Sequence, residues 1–322
     1  MLDTPLQQYI HLSKYSRFQD KLGRRESWVE TVSRCVNYWE NKFPDLIIGD
    51  YKAELFNVIY TLEVMPSMRT LMTAGKALDR DNASGYNCWA SAVNHPRIFD
   101  EVFYLLMCGG GVGFSVERQY IAKLPEVAEE FYESDTTICV ADSKIGWASA
   151  LRELISLLYA GKIPKWDITK IRPAGARLKI FGGRASGPDP LEQLFKFTIN
   201  LFKNAKGRKL NSAECHDLIC KIADTVVVGS VRRSATISLG NLTDDRHRRL
   251  KNGDWWLSTP YRALANNSVA YTEKPDIEAF SKEWRNQYVS KSGERGIVNK
   301  VAFRKKAESC GRVFDGEYLT NP

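Results

Sequence analysis

Four short segments of this chain carry residue types that could do chemistry. In GYNCWAS, Cys88 lies on a stretch with the alternation of a strand, among small and polar neighbours. A thiol so placed can serve as a redox group or a nucleophile. The competing reading is a buried structural cysteine, the common state of an unpaired thiol. Cys108 is followed by Gly109, Gly110, Gly111 and Gly113. Such a cluster lets backbone N–H groups approach a phosphate or another anion. Its setting, helix before and strand after, reverses the order of a dinucleotide fingerprint, so a tight helix–strand turn is the alternative. Residues 171–190, IRPAGARLKIFGGRASGPDP, mix Arg172, Arg177, Lys179 and Arg184 with four glycines. That loop suits an anion, or is simply charged and solvated. In VVVGSVRRSATISLG, Arg232 and Arg233 occupy a glycine-flanked turn. Arginine suits bidentate phosphate contacts or stacking on a base; a surface pair is the plain alternative.

The elements that must position these residues follow from periodicity. WVETVSRCVNYWENKF places Trp28, Val32, Cys35, Val36 and Trp39 near one helical face. ELFNVIYTLEVM predicts a second helix stopped by Pro66. PSMRTLMTAG reads as a turn-rich stretch and YNCWASAV as a strand. RIFDEVFYLLMC predicts a helix running into the glycine stop, and GFSVE a short strand. Amphipathic helices are expected in KIGWASALRELISLLYAG, in DPLEQLFKFTINLFKNA and in SAECHDLICKIADTVVVGS, with a strand in TISLG. Their apolar stripes are core. NLTDDRHRRLKNGD, residues 241–254, reads as a charged, solvated loop. Helices alternating with short strands argue for an α/β domain behind an α-rich N-terminal region. The division expected is residues 1–75 and 76–322.

Bulk properties narrow the classes. The chain has 322 residues, 43% hydrophobic and 26% charged, the composition of a soluble globular protein. No stretch approaches the ~20 apolar residues of a membrane span, and the first residues lack the apolar core of a secretory signal. Seven cysteines without a CxxC pair argue against a disulfide or zinc framework, so a reducing cytoplasm is expected. Four histidines without HxH or HxxxH spacing predict no histidine metal site. The net charge of +8 suits an anionic partner. Direct nucleic-acid binding is not expected, because no aromatic residues interleave the basic runs.

Singly these segments are weak signals, but their order is specific. KYSRFQDKLGRRESWVETVSR, MPSMRTLMTAG, NCW, GGGVGFSVE, RPAGARLKIFGGRASGPDPL, VGSVRRSATISLG, NNSVAYTE, GERGIVN and YLTNP follow one another. In that order they resemble the adenosylcobalamin-dependent (class II) ribonucleotide reductases, most closely the monomeric ribonucleoside-triphosphate reductase branch. The resemblance runs from about Tyr15 to Pro322. It implies an α-rich N-terminal region followed by the first half of a ten-stranded α/β barrel. It also implies a reaction that makes deoxynucleotides for DNA synthesis. A cysteine thiyl radical, generated by the 5′-deoxyadenosyl group of adenosylcobalamin, takes the ribose 3′-hydrogen. Two further cysteines supply reducing equivalents and end as a disulfide, which a thioredoxin-type dithiol reopens.

Carried over position by position, Cys88 matches the first of these two reductant cysteines. Asn87 and Cys88 fall beside the substrate ribose. The Pro66–Thr70 segment, with Ser67 and Met68, matches a backbone contact to substrate. Gly110 and Gly111 match a turn against which substrate packs. Gly229, Ser230, Arg232, Arg233 and Ser234 fall in the loop between substrate base and deoxynucleoside triphosphate effector. Ser115 to Lys123 falls at the other effector loop. Asn321 belongs with Cys88 among the catalytic and substrate-contacting positions.

The family pattern continues Asn-Pro-Cys-Gly-Glu, whereas this sequence stops at Asn321-Pro322. The resemblance therefore implies that the radical cysteine, its glutamate partner, the second reductant cysteine and most of the cobalamin site belong to a C-terminal half. The chain alone is then expected not to turn over. Its open strand edges and uncovered apolar surface predict poor solubility. Three readings of the ending stand: an intein or intron placed before that cysteine, a separately encoded half, and a truncation. An intein requires Cys, Ser or Thr after its insertion point, which favours the first. From another functional class, a non-catalytic nucleotide-binding or assembly module would use the same loops without Cys88 chemistry.

Overall fold

The computed structural model describes residues 2–47, 49–176, 184–227 and 235–309, divided into two compact units that meet in sequence at Asn87 and Cys88. No described helix is long and apolar enough to cross a membrane.

The first unit is helical. It comprises α1 (Pro5–Ile10), a π-helical turn (His11–Tyr15), a short hairpin of β1 (Phe18–Gln19) and β2 (Arg24–Arg25), then α2 (Trp28–Lys42), α3 (Gly49–Tyr60), α4 (Met68–Thr73) and α5 (Lys76–Arg80). A capping box starts α2: Ser27 accepts from the Glu30 N–H while the Glu30 side chain reaches back to the Ser27 N–H. Its predicted stripe is core, with Trp28, Val32, Cys35 and Val36 packed on Ile59, Leu71 and Leu78. Two expectations change. α3 ends at Tyr60, well before Pro66, and Leu62 just beyond it takes a φ of 66°. The stretch read as turn-rich is the short helix α4, because Ser67 Oγ accepts from the Thr70 N–H at 3.1 Å and caps it.

The second unit is α/β, as predicted. Its elements are β3 (Cys88–Ala92), α6 (Ile98–Met107), β4 (Gly111–Ser115), α7 (Arg118–Ile121), β5 (Tyr132–Cys139), α8 (Lys144–Tyr159), β6 (Lys162–Asp167), α9 (Asp189–Asn204), α10 (Ser212–Val227), β7 (Thr236–Asn241), α11 (Asp245–Arg248), α12 (Trp255–Ser258), β8 (Ala265–Tyr271), α13 (Ile277–Ser290), β9 (Gly296–Asn299) and α14 (Lys300–Ser309). Five parallel strands form one sheet in the order β3-β4-β7-β8-β9; β5 and β6 form a separate parallel pair. Parallel neighbours need crossover connections, and the helices between strands supply them.

Residues paired across parallel strands share a face. One face of the large sheet carries Val112, Phe114, Ser238, Asn267 and Val269, all buried. The core around it includes Phe99, Phe103, Leu151, Leu154, Phe195, Phe202, Leu218 and Ile219 from α6, α8, α9 and α10. Toward the amino ends of the strands the other face carries Cys88, Ala90, Gly111, Gly113, Ile237 and Asn266, which are small or accessible side chains.

Two further expectations change. The strand placed at GFSVE begins two residues earlier, at Gly111. Gly109, at φ 81°, turns the chain tightly enough for that. Residues 241–254 are not a solvated loop. They contain α11, and His247, Arg248, Leu250 and Lys251 are buried.

Candidate functional site

Cys88 is the first residue of β3 and Gly111 the first of β4, and the two are register partners. The next residue, Val112, donates its N–H to the Ala235 carbonyl at 3.0 Å, just before β7. One end of the sheet therefore gathers Cys88, the glycine turn and the entry to β7. Cys88 and Cys139 are exposed, whereas Cys35, Cys108, Cys215 and Cys220 are buried; Cys139 lies on β5, outside the large sheet. The reading of Cys88 as a buried structural cysteine is thereby overturned. Position explains it: the strand starts at Cys88 on the sheet's open face.

The glycine turn is the helix–strand turn of the two readings. The Gly109 N–H donates to the Leu106 carbonyl at 2.8 Å and the Gly110 N–H to Leu105 at 3.2 Å. Both close the end of α6 and are not turned toward an anion. Gly110 is buried and Gly111 half-buried.

Within the first unit, Arg69 Nε donates to Asn87 Oδ1 at 3.0 Å. That bond draws the Ser67–Thr70 segment and Asn87 together. Ser67 serves as the cap of α4, and Met68 is 50% exposed beside it. Gly229, Ser230, Arg232, Arg233, Ser234 and Asn321 lie outside the described residues, as do Arg177 and Lys179. The arginine-bearing stretch is anchored at Val227, the end of α10, and at Ala235.

The Ser115–Lys123 segment holds the opposite, carboxyl end of the sheet. Glu117, 1% exposed, accepts from Ser115 Oγ at 2.7 Å and Gln119 Nε2 at 3.1 Å, and pairs with Lys300 at the start of α14. The Arg118 N–H donates to Asn241 Oδ1 at 2.6 Å.

Behind the sheet runs a buried polar network that local sequence gave little sign of. His216 of α10 meets Asn267 Oδ1 of β8 at 2.8 Å and Asp217 Oδ1 at 3.2 Å. Arg262 clamps both oxygens of Asp217 at 2.7 and 2.6 Å. Both contacts of His216 are to acceptor oxygens, so the ring is arranged to donate twice. Burial opposes its charging, but Cys220 Sγ at 3.7 Å and Asp217 outweigh burial and raise its pKa. His247 is the reverse. Burial and the nearby cations His216 and Arg295 hold it neutral, well below the usual imidazole range. Arg295 donates to its Nδ1 at 3.3 Å, which puts the ring proton on Nε2, facing Ser238 Oγ at 2.9 Å. Arg295 and Arg248 both bond Glu283 of α13. The one sequence signal was inside α10, whose apolar stripe carries His216 and Cys220 four residues apart.

Gly240 closes this network. A Cβ there falls 2.4 Å from His247 Nδ1, and His247 is held by Ser238 and Arg295. Gly240→Ala is expected to destabilise the fold by about 2 kcal/mol or more through overpacking. Urea unfolding checks this; an unchanged midpoint contradicts it.

Residues 4–76 match the ribonucleotide reductase alpha domain, and residues 120–201 match the insertion domain of B12-dependent ribonucleotide reductase. Over 95% of its length the chain is 32% identical to the adenosylcobalamin-dependent ribonucleoside-triphosphate reductase of Lacticaseibacillus paracasei, covering 49% of that protein. Against the reductase of the same description from Lactobacillus leichmannii it is 29% identical over 94% of its length, again covering 49%. A crystal structure of a B-12 dependent (class II) ribonucleotide reductase superposes with a TM-score of 0.74 at 26% identity, over 91% of this chain and 49% of that one. The chain is similar to the class II ribonucleotide reductases over nearly its whole length. It spans about half the length of the relatives it matches. The alpha-domain match covers the helical first unit through α4. The insertion-domain match takes in β5, α8, β6 and most of α9, which accounts for a two-stranded sheet separate from the five-stranded one.

Proposed function

We propose that this chain is the N-terminal portion of an adenosylcobalamin-dependent ribonucleoside-triphosphate reductase, and that its five-stranded sheet is half of the catalytic barrel. The observation that carries the reading is Cys88: an exposed thiol at the sheet end where the glycine turn and the entry to β7 meet, in a chain similar to this family. Cys88 is one of two thiols that reduce the substrate ribose. Two electrons and two protons leave the thiol pair, which closes as a disulfide, and the 2′-hydroxyl departs as water. A thioredoxin-type dithiol reopens the disulfide by exchange.

The Ser67–Thr70 backbone, Met68 and Asn87 are assigned to substrate contact, and so are Gly110 and Gly111, each by its match to the family's pattern. Asn321 completes the set near the radical position. The Gly229–Ser234 loop, through Arg232 and Arg233, links effector to substrate base. Adenosylcobalamin supplies the radical when bound. Three of the four histidines, His11, His216 and His247, are buried in protein hydrogen bonds and do not face a corrinoid. The cofactor's contacts are assigned to the C-terminal half, with which this chain assembles in the cytoplasm.

The direct test is deoxynucleotide formation that requires adenosylcobalamin, assayed with the full-length enzyme containing this segment. Its absence with every ribonucleoside triphosphate contradicts the reading. Replacing Arg232 and Arg233 together by alanine in that enzyme is expected to reduce effector-dependent choice among substrates at least about tenfold, roughly one lost charge-assisted contact. Unchanged selectivity removes the loop from the account.

A further inference from the structure

The Ser115–Lys123 segment has two faces. Arg118 and Gln119 are exposed, whereas Glu117 and Tyr120 on either side of them are buried. The outer face offers a guanidinium to an anionic ligand. The inner face is gripped from two places far along the chain. The Arg118 N–H donates at 2.6 Å to the side chain of Asn241, the last residue of β7. Glu117, 1% exposed, pairs with Lys300, the first residue of α14. Lys300 also lies over the Tyr120 ring, 5.4 Å from its centroid.

The helix does not itself call for a lysine there. Asn299 already caps α14, its Oδ1 accepting from the Ala302 N–H at 3.0 Å. A cation in the first turn is opposed by the helix dipole. The requirement comes from Glu117, a carboxylate removed from water that needs a counter-charge. Among the described residues Lys300 is the one cation that pairs with it. Moving either partner alone strands a buried charge, so the segment and the start of α14 shift together. Two elements that bias one such contact share one equilibrium.

We propose that Lys300 is a positioning residue that couples effector binding to the substrate site. It locks the start of α14, beyond which the sequence runs to Asn321, to the Ser115–Lys123 segment. The inference rests on the reading of that segment as an effector loop, and it supplies a connection separate from the Gly229–Ser234 loop.

The test uses the full-length enzyme containing this segment. Turnover is measured with and without each deoxynucleoside triphosphate, and effector binding with and without substrate. In the parent, effector raises turnover of its matching substrate, and substrate tightens effector binding by the same linkage. Lys300→Met is expected to lower both responses at least about fivefold, while turnover without effector stays within about twofold of the parent. Lys300→Arg keeps both responses. Glu117→Gln with Lys300→Met leaves no charge unpaired, so it melts like the parent yet still lacks the responses. A purely structural pair would regain them along with the fold. Parental responses in Lys300→Met or in the double variant overturn the inference. Equal loss of turnover with and without effector also overturns it, because that assigns Lys300 to the fold alone. A parent that responds to no deoxynucleoside triphosphate removes the effector reading beneath it as well, a failure distinct from the others.

Discussion

Replacing Cys88 by serine in the complete reductase is expected to lower steady-state turnover with a dithiol reductant at least about a thousandfold, some 4 kcal/mol of lost transition-state stabilisation. Serine keeps the size and the exposed position at the start of β3. It cannot form a disulfide, so the two electrons that leave with each reduced ribose have no source. Substrate and effector affinity should stay within a few-fold, because the glycine turn and the Arg69–Asn87 contact are untouched. The same substitution separates the two functional classes raised by the sequence. A nucleotide-binding or assembly module loses nothing when Cys88 becomes serine.

The second large effect concerns stability. Glu283→Gln is expected to destabilise the second unit by about 3–5 kcal/mol, the usual consequence of removing one partner from a buried ion cluster. Glu283 is flanked by Arg248 Nε at 2.9 Å and Arg295 Nη2 at 2.6 Å, with side-chain exposures of 3%, 6% and 1% for Glu283, Arg248 and Arg295. The variant leaves two buried guanidiniums without their carboxylate. Tm should fall by on the order of 10 °C. Burial alone would raise the Glu283 pKa, but Arg295 and Arg248 outweigh it and the net shift is downward. A carboxylate depressed in the folded state stabilises above its unfolded value of about 4.3 and ceases to do so as pH falls through the folded value. The gap between parent and variant should therefore be widest near neutral pH and begin to narrow only as pH falls below the unfolded value of about 4.3. A gap independent of pH contradicts the ionic account.

Much of this architecture could be read from local patterning. The helices α8, α9 and α10 were visible as apolar stripes with a 3.6-residue period, and β3 and β7 as short alternating runs. The glycine turn and its helix-before, strand-after order were legible from Gly109 to Gly113 alone. Residues 241–254 were not, because Arg248 and Lys251 are matched by Glu283 and Glu294, far along the chain. A local run of Asp, Arg and Lys looks the same whether its partners are water or buried carboxylates. β5 escaped notice for a related reason: seven of its eight residues are accessible, so no alternation marks it. At the site, periodicity left Cys88 between a buried and a reactive thiol. Only its place at the first position of β3, on the open face, separates these readings. Ser67 shows the reverse failure. A Ser three residues before Thr70 is a cap signal, but six helical residues are too few for periodicity to register.

The claim on which everything else rests is that Cys88 is consumed as a reductant during catalysis. Full-length enzyme, reduced and then freed of external dithiol, should be given ribonucleoside triphosphate, effector and adenosylcobalamin for a single round, then alkylated and digested for mass spectrometry. The account predicts that Cys88 becomes protected from alkylation in step with product, one disulfide per deoxynucleotide, and that a dithiol reopens it. Product formed while Cys88 stays fully alkylatable contradicts it.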